Sequence, residues 1–170
     1  MTEKTRSAAD TTATVLVDEA ATVAYGLALG QRLLRDYDGR ALVFLRGQLG
    51  AGKTTLVRGV LNALGHQGAV KSPTYTLLEP YSCNGQDAFH FDLYRIADAE
   101  ELAFVGFDEI IDGPGIKLIE WPEKAESWLP AAQVEISLAV TPLPVAEHPA
   151  MGDRVDDPRQ FGRTAHAIYR

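Results

Sequence analysis

The sequence predicts a single-domain α/β fold whose mixed sheet contains an inserted antiparallel hairpin. Three observations predict it. Ala41-Leu42-Val43-Phe44-Leu45 is an unbroken apolar run of strand length, the signature of a strand buried on both faces. A glycine-rich turn follows at once and opens a helical stretch from about Lys53 to Leu64, which is the order of a parallel βα unit. Beyond Gly65 two strand-like stretches, Tyr75–Tyr81 and Ala88–Tyr94, are separated only by the turn-forming Ser82-Cys83-Asn84-Gly85-Gln86-Asp87. Strands joined so briefly must run antiparallel.

Each element follows from local chemistry. Residues 1–13 are polar and small and read as a disordered arm. Thr14–Val17 is a short strand, and Asp18 is a good N-cap for the next helix. From Glu19 to Tyr37 the apolar residues Val23, Leu27, Leu33 and Leu34 fit one helical face, and Gly39 ends the stretch. Gly65 closes the helix that follows the glycine-rich turn. After the hairpin comes a helical stretch near Asp98–Phe104. The turn Asp112-Gly113-Pro114-Gly115 then opens the apolar strand Ile116–Ile119. Pro122 and Glu123 start a short helix through Trp128, and Val134–Val140 is a further strand. Residues 14–140 form the predicted domain. Residues 141–170 complete it as a proline-rich loop, Thr141–Pro158, and a possible edge strand, Arg163–Tyr169.

Composition narrows the function classes. Of 170 residues, 46% are hydrophobic and 23% charged, as in an ordinary globular domain. The formal net charge is −7 with no long basic run, which argues against a free-standing nucleic-acid binder. A single cysteine, Cys83, rules out an intrachain disulfide and reads as a reduced thiol. The opening residues lack the apolar core of a secretory signal, and no apolar run approaches the roughly 20 residues that span a bilayer. A cytoplasmic protein without membrane contact is expected.

The chemistry lies in Gly47-Gln48-Leu49-Gly50-Ala51-Gly52-Lys53-Thr54, a full match to G-x-x-x-x-G-K-[ST]. The pattern carries weight because it follows a buried strand and opens a helix. Gly47, Gly50 and Gly52 let the backbone curl so that successive N–H groups converge on phosphate oxygens at a helix N-terminus. Lys53 supplies a full positive charge for the β- and γ-phosphates. The Thr54 hydroxyl is a hard oxygen suited to Mg2+. The expected fold is therefore that of a P-loop NTPase. Such a site needs a carboxylate at the carboxyl end of a neighbouring strand. Glu120 ends Ile116–Ile119 and fits that place, unless it is simply an exposed strand-end residue. Asp92, in His90-Phe91-Asp92-Leu93-Tyr94-Arg95, is the other candidate, unless it pairs with Arg95. Hydroxyls at Ser72, Thr74 and Thr76 lie where a segment sensing the γ-phosphate is often found, although Ser-Pro-Thr is equally a plain strand lead-in. Trp121 and Trp128 are read as packing residues in preference to nucleotide contacts.

Together, Gly47–Thr55, Ser72–Leu77, His90–Arg95 and Glu120-Trp121-Pro122, with Glu19, Thr22 and Gly26 in the first helix, resemble the TsaE (YjeE) family of small bacterial ATPases. The similarity runs from about Asp18 to Val140. It implies a role in threonylcarbamoyl modification of adenosine in tRNA, with TsaD- and TsaB-type proteins as partners and tRNA engaged only indirectly. It implies ATP and Mg2+ as cofactors. The loop residues Gly47, Leu49, Gly50, Ala51, Gly52, Lys53, Thr54 and Thr55 would bind phosphates, and Thr54 and Glu120 would hold the metal. Asp92 would serve the metal or the hydrolytic water, and Thr22 would approach the base. Lys53, Asp92 and Glu120 are thus the expected catalytic set. Gln48 stands where the family more often has an acidic residue, at a position that contributes backbone.

Rival readings are weaker. Asp112-Gly113-Pro114-Gly115 matches the D-x-x-G of a GTPase switch, but it precedes its strand and no N-K-x-D motif accompanies it. A small-molecule kinase would want an Arg-rich lid, and the region after Tyr94 offers only Arg95. A nucleotide-gated adaptor that binds without turnover needs the same loop. The expectation is an Mg2+-dependent ATPase, slow alone, that switches a partner complex.

Overall fold

The computed structural model describes residues 10–143 and 161–170. Its centre is a seven-stranded mixed sheet built from β1 (Asp10–Leu16), β2 (Ala41–Arg46), β3 (Leu78–Cys83), β4 (Gln86–Asp92), β5 (Ile116–Glu120), β6 (Val134–Pro142) and β7 (Phe161–Tyr169). The spatial order is β1-β7-β6-β2-β5-β4-β3. β6, β2, β5 and β4 run parallel, whereas β1, β7 and β3 join antiparallel.

β2 is buried from Ala41 to Leu45, as its continuous apolar run requires. Val43 and Leu45 face a core shared with α1 (Glu19–Asp36) and α2 (Lys53–Ala63). Leu42 and Phe44 face a second core with Phe91, Leu93, Phe107 and Ile119. The sheet is thus sandwiched between two helical layers, the second made of a 3-10 helix, Ala99–Val105, and α3 (Phe107–Asp112).

Asp18 caps α1, its carboxylate accepting from the Ala21 N–H at 2.7 Å. The buried face of α1 differs from the one expected. It runs through Thr22, Gly26, Leu29, Gly30 and Leu33, and Leu27 is exposed. The reason is a close crossing with α2. A Cβ on Gly26 would lie 2.2 Å from the Leu56 carbonyl oxygen and 3.0 Å from Gly59 Cα, and one on Gly59 would lie 2.2 Å from the Val23 carbonyl oxygen. The two backbones touch where neither residue carries a side chain.

Other boundaries moved for local reasons. β1 begins at Asp10, because residues 10–16 pair with β7 from Tyr169 to Arg163. Residues 1–9 of the expected arm lie outside the described residues, as do 144–158 of the expected loop. β7 is no edge strand, since β1 and β6 flank it. The hairpin turn is only Asn84-Gly85, both at positive φ, with Cys83 paired to Gln86. Tyr75 lies in a turn before β3. The Asp112–Gly115 segment is the turn from α3 into β5, at the end of β5 remote from Glu120. Among the described residues no helix is long and apolar enough to cross a membrane.

Candidate functional site

Parallel strands β2, β5 and β4 end side by side, and their carboxyl ends carry the charged side chains. Leu45 pairs with Glu120, and Glu120 pairs with Asp92. Residues in register point to the same face of a sheet. Both carboxylates therefore stand on the side that Leu45 shares with α2.

Residues 47–52 lead from β2 into α2, with φ of +143° at Gly47, +78° at Gly50 and +101° at Gly52. At Gly47 a Cβ would lie 2.5 Å from the Leu138 carbonyl oxygen, so the loop is pressed against β6. Lys53, the first residue of α2, is buried. Its Nζ donates to the carbonyl oxygens of Gly47 at 2.7 Å and Gln48 at 3.0 Å. The ammonium also lies 4.0 Å from the Trp121 ring centre. Burial pushes the Lys53 ammonium below the ordinary lysine range, and the carboxylates of Glu120, Asp92 and Glu123 oppose that shift. With two of three N–H donors committed to these carbonyls, one is left over for a ligand.

Thr54 Oγ1 donates to Glu120 Oε1 at 2.8 Å, and His90 Nε2 lies 2.9 Å from the same oxygen. His90 and Glu120 are both buried. The imidazole thus fixes the carboxylate from behind while the threonine holds it in front. Asp92 is a second hub. Its Oδ2 accepts from Ser72 Oγ and, at 2.8 Å, from Thr74 Oγ1, and its Oδ1 accepts from the Tyr94 N–H at 3.0 Å. The alternative pairing with Arg95 does not occur; that guanidinium lies 4.4 Å from the Tyr75 ring centre. Thr76 is drawn elsewhere, into a separate hollow with Lys71 and Glu79.

These groups line one cleft of about 400 Å³. It gathers Leu49, Gly50, Gly52, Lys53, Thr54, Thr55, Asp92 and Glu120 with Ser72, Thr74, Tyr94, Arg95, Trp121 and Arg163. Gly47 and Ala51 shape the loop from behind. Thr22 is not brought to the cleft. It is fully buried, and its hydroxyl donates to the Asp18 carbonyl at 2.9 Å, inside the first turns of α1. Trp121 lies in the cleft at φ +58°, its ring tilted by 45° against Tyr94 with centres 4.9 Å apart, while Trp128 is half-exposed elsewhere.

Sequence reasoning did not single out His90 or Arg163. The signal for His90 was its spacing, since positions 90 and 92 share one face of β4. Arg163 sits on β7 and donates from Nε to the Ala51 carbonyl at 2.8 Å, a contact no local pattern announces. A second hollow of about 770 Å³ shares Gly50 and Arg163 with the cleft and is walled by Val17, Val140, Leu143 and Phe161.

The donor set suits a hard cation beside phosphate. A threonine hydroxyl and a carboxylate oxygen 2.8 Å apart are of the hard-oxygen type that could ligate a cation such as Mg2+. Among the described residues no group of three or more His, Cys, Asp or Glu is placed so that it alone could hold a metal ion.

A family model described as threonylcarbamoyl adenosine biosynthesis protein TsaE matches residues 16–143, which leaves β7 beyond the match. A protein of Haemophilus influenzae named tRNA threonylcarbamoyladenosine biosynthesis protein TsaE is 48% identical over 122 residues, 71% of this chain and 77% of that protein. A Treponema pallidum protein of the same name is 41% identical over 120 residues, 70% of this chain and 84% of its own length. The crystal structure of Bacillus subtilis YdiB superposes with a TM-score of 0.64 at 22% identity, covering 96% of this chain and 88% of that one. It shares the fold.

Proposed function

The chain belongs to the TsaE family, and from that premise we propose that it binds Mg2+-ATP in the Gly47–Thr54 cleft, hydrolyses it slowly alone, and so supports threonylcarbamoyl modification of tRNA adenosine by switching a partner complex. The observation that carries the nucleotide reading is the 2.8 Å bond between Thr54 and Glu120 at the mouth of the glycine-rich loop. A phosphate loop and a strand-end carboxylate meet there as ligands of one cation would.

Roles follow from position. The loop N–H groups and the Lys53 ammonium receive the β- and γ-phosphates, and Thr54 and Glu120 hold Mg2+, which neutralises phosphate charge when bound. His90 keeps the Glu120 carboxylate aimed at Thr54. Asp92, anchored by Ser72, Thr74 and the Tyr94 N–H, orients the attacking water and takes its proton. The second hollow, sharing Gly50 with the cleft, receives the nucleoside end. Proteins of the TsaD and TsaB type are the proposed partners, tRNA is reached through them, and the cytoplasm is the proposed site of action.

One reconstitution tests this. ATP turnover is measured with and without the partner proteins, and modified tRNA is the second readout. Stimulated turnover with repeated rounds of modification is expected. Equal modification with a non-hydrolysable analogue would replace the ATPase with a nucleotide-gated adaptor. Lys53→Ala is expected to abolish nucleotide binding, and retained affinity would overturn the site assignment.

A further inference from the structure

Arg163 stands apart from the loop in sequence and yet is tied to it. β7 is held between β1 and β6, with Arg163 in register with Leu16 on one side and Val140 on the other. From that framed position its Nε donates to the Ala51 carbonyl at 2.8 Å, inside the glycine-rich loop. The fit is close. A Cβ at Gly52 would meet Nε at 2.7 Å and Cδ at 3.0 Å, so the bare glycine gives the guanidinium its place. A guanidinium carries five N–H donors, and among the described residues the bond to Ala51 uses one. Arg163 also lines both hollows that meet at Gly50.

We propose that Arg163 is a second cationic ligand of the nucleotide's phosphate chain, placed where the chain leaves the loop toward the nucleoside hollow. The inference rests on the nucleotide reading above. A side chain that only braced the loop would need one donor and no charge, and a neutral residue would serve. Arg163 instead sets a full positive charge beside the turn whose N–H groups converge on phosphate. Arginine suits the task, because its planar fork can bond a loop carbonyl and phosphate oxygens together.

The test is calorimetric titration of the full chain with Mg2+-ATP, inorganic triphosphate and adenosine, at several KCl concentrations. Arg163→Gln is expected to weaken ATP and inorganic triphosphate alike, by about ten- to a hundredfold, and to leave adenosine binding unchanged. Its ATP affinity should also fall less steeply with added salt than that of the unaltered chain, because one ionic contact is gone. A merely structural loss would leave that slope as it was, and would overturn the proposal. So would ATP binding as tight as the original, or a loss for ATP without one for triphosphate. Arg163→Met, which keeps the packed stem, carries the same expectations should the glutamine variant unfold. Failure of the unaltered chain to bind triphosphate would overturn the nucleotide reading and this proposal together, whereas equal binding by the variants overturns only the role of Arg163.

Discussion

Replacing Gly26 with alanine should destabilise the protein, although alanine is the better helix former. Intrinsic propensity alone favours the substitution by about 1 kcal/mol within a helix. The crossing of α1 and α2 reverses the sign. The added Cβ would lie 2.2 Å from the Leu56 carbonyl oxygen and 3.1 Å from the Leu56 carbonyl carbon, both backbone atoms that no rotamer change can remove. An ordinary contact begins near 3.4 Å, so the backbones must part by about 1 Å. Overpacking of this kind costs about 1–3 kcal/mol, with the upper end fitting an intrusion on backbone. For a chain of this size each kcal/mol moves the melting temperature by about 2–4 °C. Less the roughly 1 kcal/mol that helix propensity returns, about 1–2 kcal/mol remains, so the melting temperature followed by circular dichroism should fall by roughly 2–8 °C. The double variant Gly26→Ala/Gly59→Ala should lose less than the sum of the two single losses, because the first methyl already separates the helices. A melting temperature equal to or above that of the unaltered protein would refute the reasoning and return the helix propensity term to control.

Three further outcomes are expected. Asp92→Ala should leave ATP affinity within a few-fold and reduce hydrolysis by about a hundredfold or more, read as single-turnover rates; normal turnover would remove Asp92 from the chemistry. His90→Ala deprives Glu120 of its buried partner and should raise the Mg2+ concentration giving half-maximal turnover by about ten- to a hundredfold; an unchanged Mg2+ titration would leave His90 a packing residue. Burial lowers the Lys53 pKa, so in the free protein its charge is lost with rising pH before that of an ordinary lysine. Phosphate favours the charged form. ATP affinity should therefore decline as pH rises through that lowered pKa, with proton uptake on binding, measured by calorimetry in buffers of differing ionisation enthalpy. Proton release in that window would contradict the assignment.

Much of the site was legible because a phosphate loop is read from contiguous residues, and the strand before it and helix after it are local patterns. Glu120 was legible as the residue that ends a buried strand. The register that sets it beside Asp92 is long-range, so the two entered as alternatives where the sheet makes them neighbours. The face of α1 was legible only at Leu33 and Leu34, for a plain reason. Its contact surface is made by Gly26 and Gly30, and a residue without a side chain leaves no trace in a hydrophobic pattern. β7 was taken for an edge because no local feature reveals that β1 adds outside it. Arg163 was passed over with it. α3 has only six residues, Phe107–Asp112, too few to show a helical period beside the turn signal of Gly113-Pro114-Gly115.

The pairing of β1 with β7 also governs the order in which this chain can fold as it is made. Asp10 finds Tyr169, and Leu16 finds Arg163, so β1 must wait for a ladder partner that is synthesised long after it. The unit from α1 through α2, with its glycine-rich turn, depends on nearer contacts and can assemble while synthesis continues. β6 and β1 meanwhile stand with unsatisfied edges, a state open to wrong pairing. Closure of the sheet by β7 comes late, and with it the arginine that ties the far side of the sheet to the turn. A nascent chain halted before β7 would hold most of the phosphate-loop chemistry on a sheet that is still unsealed.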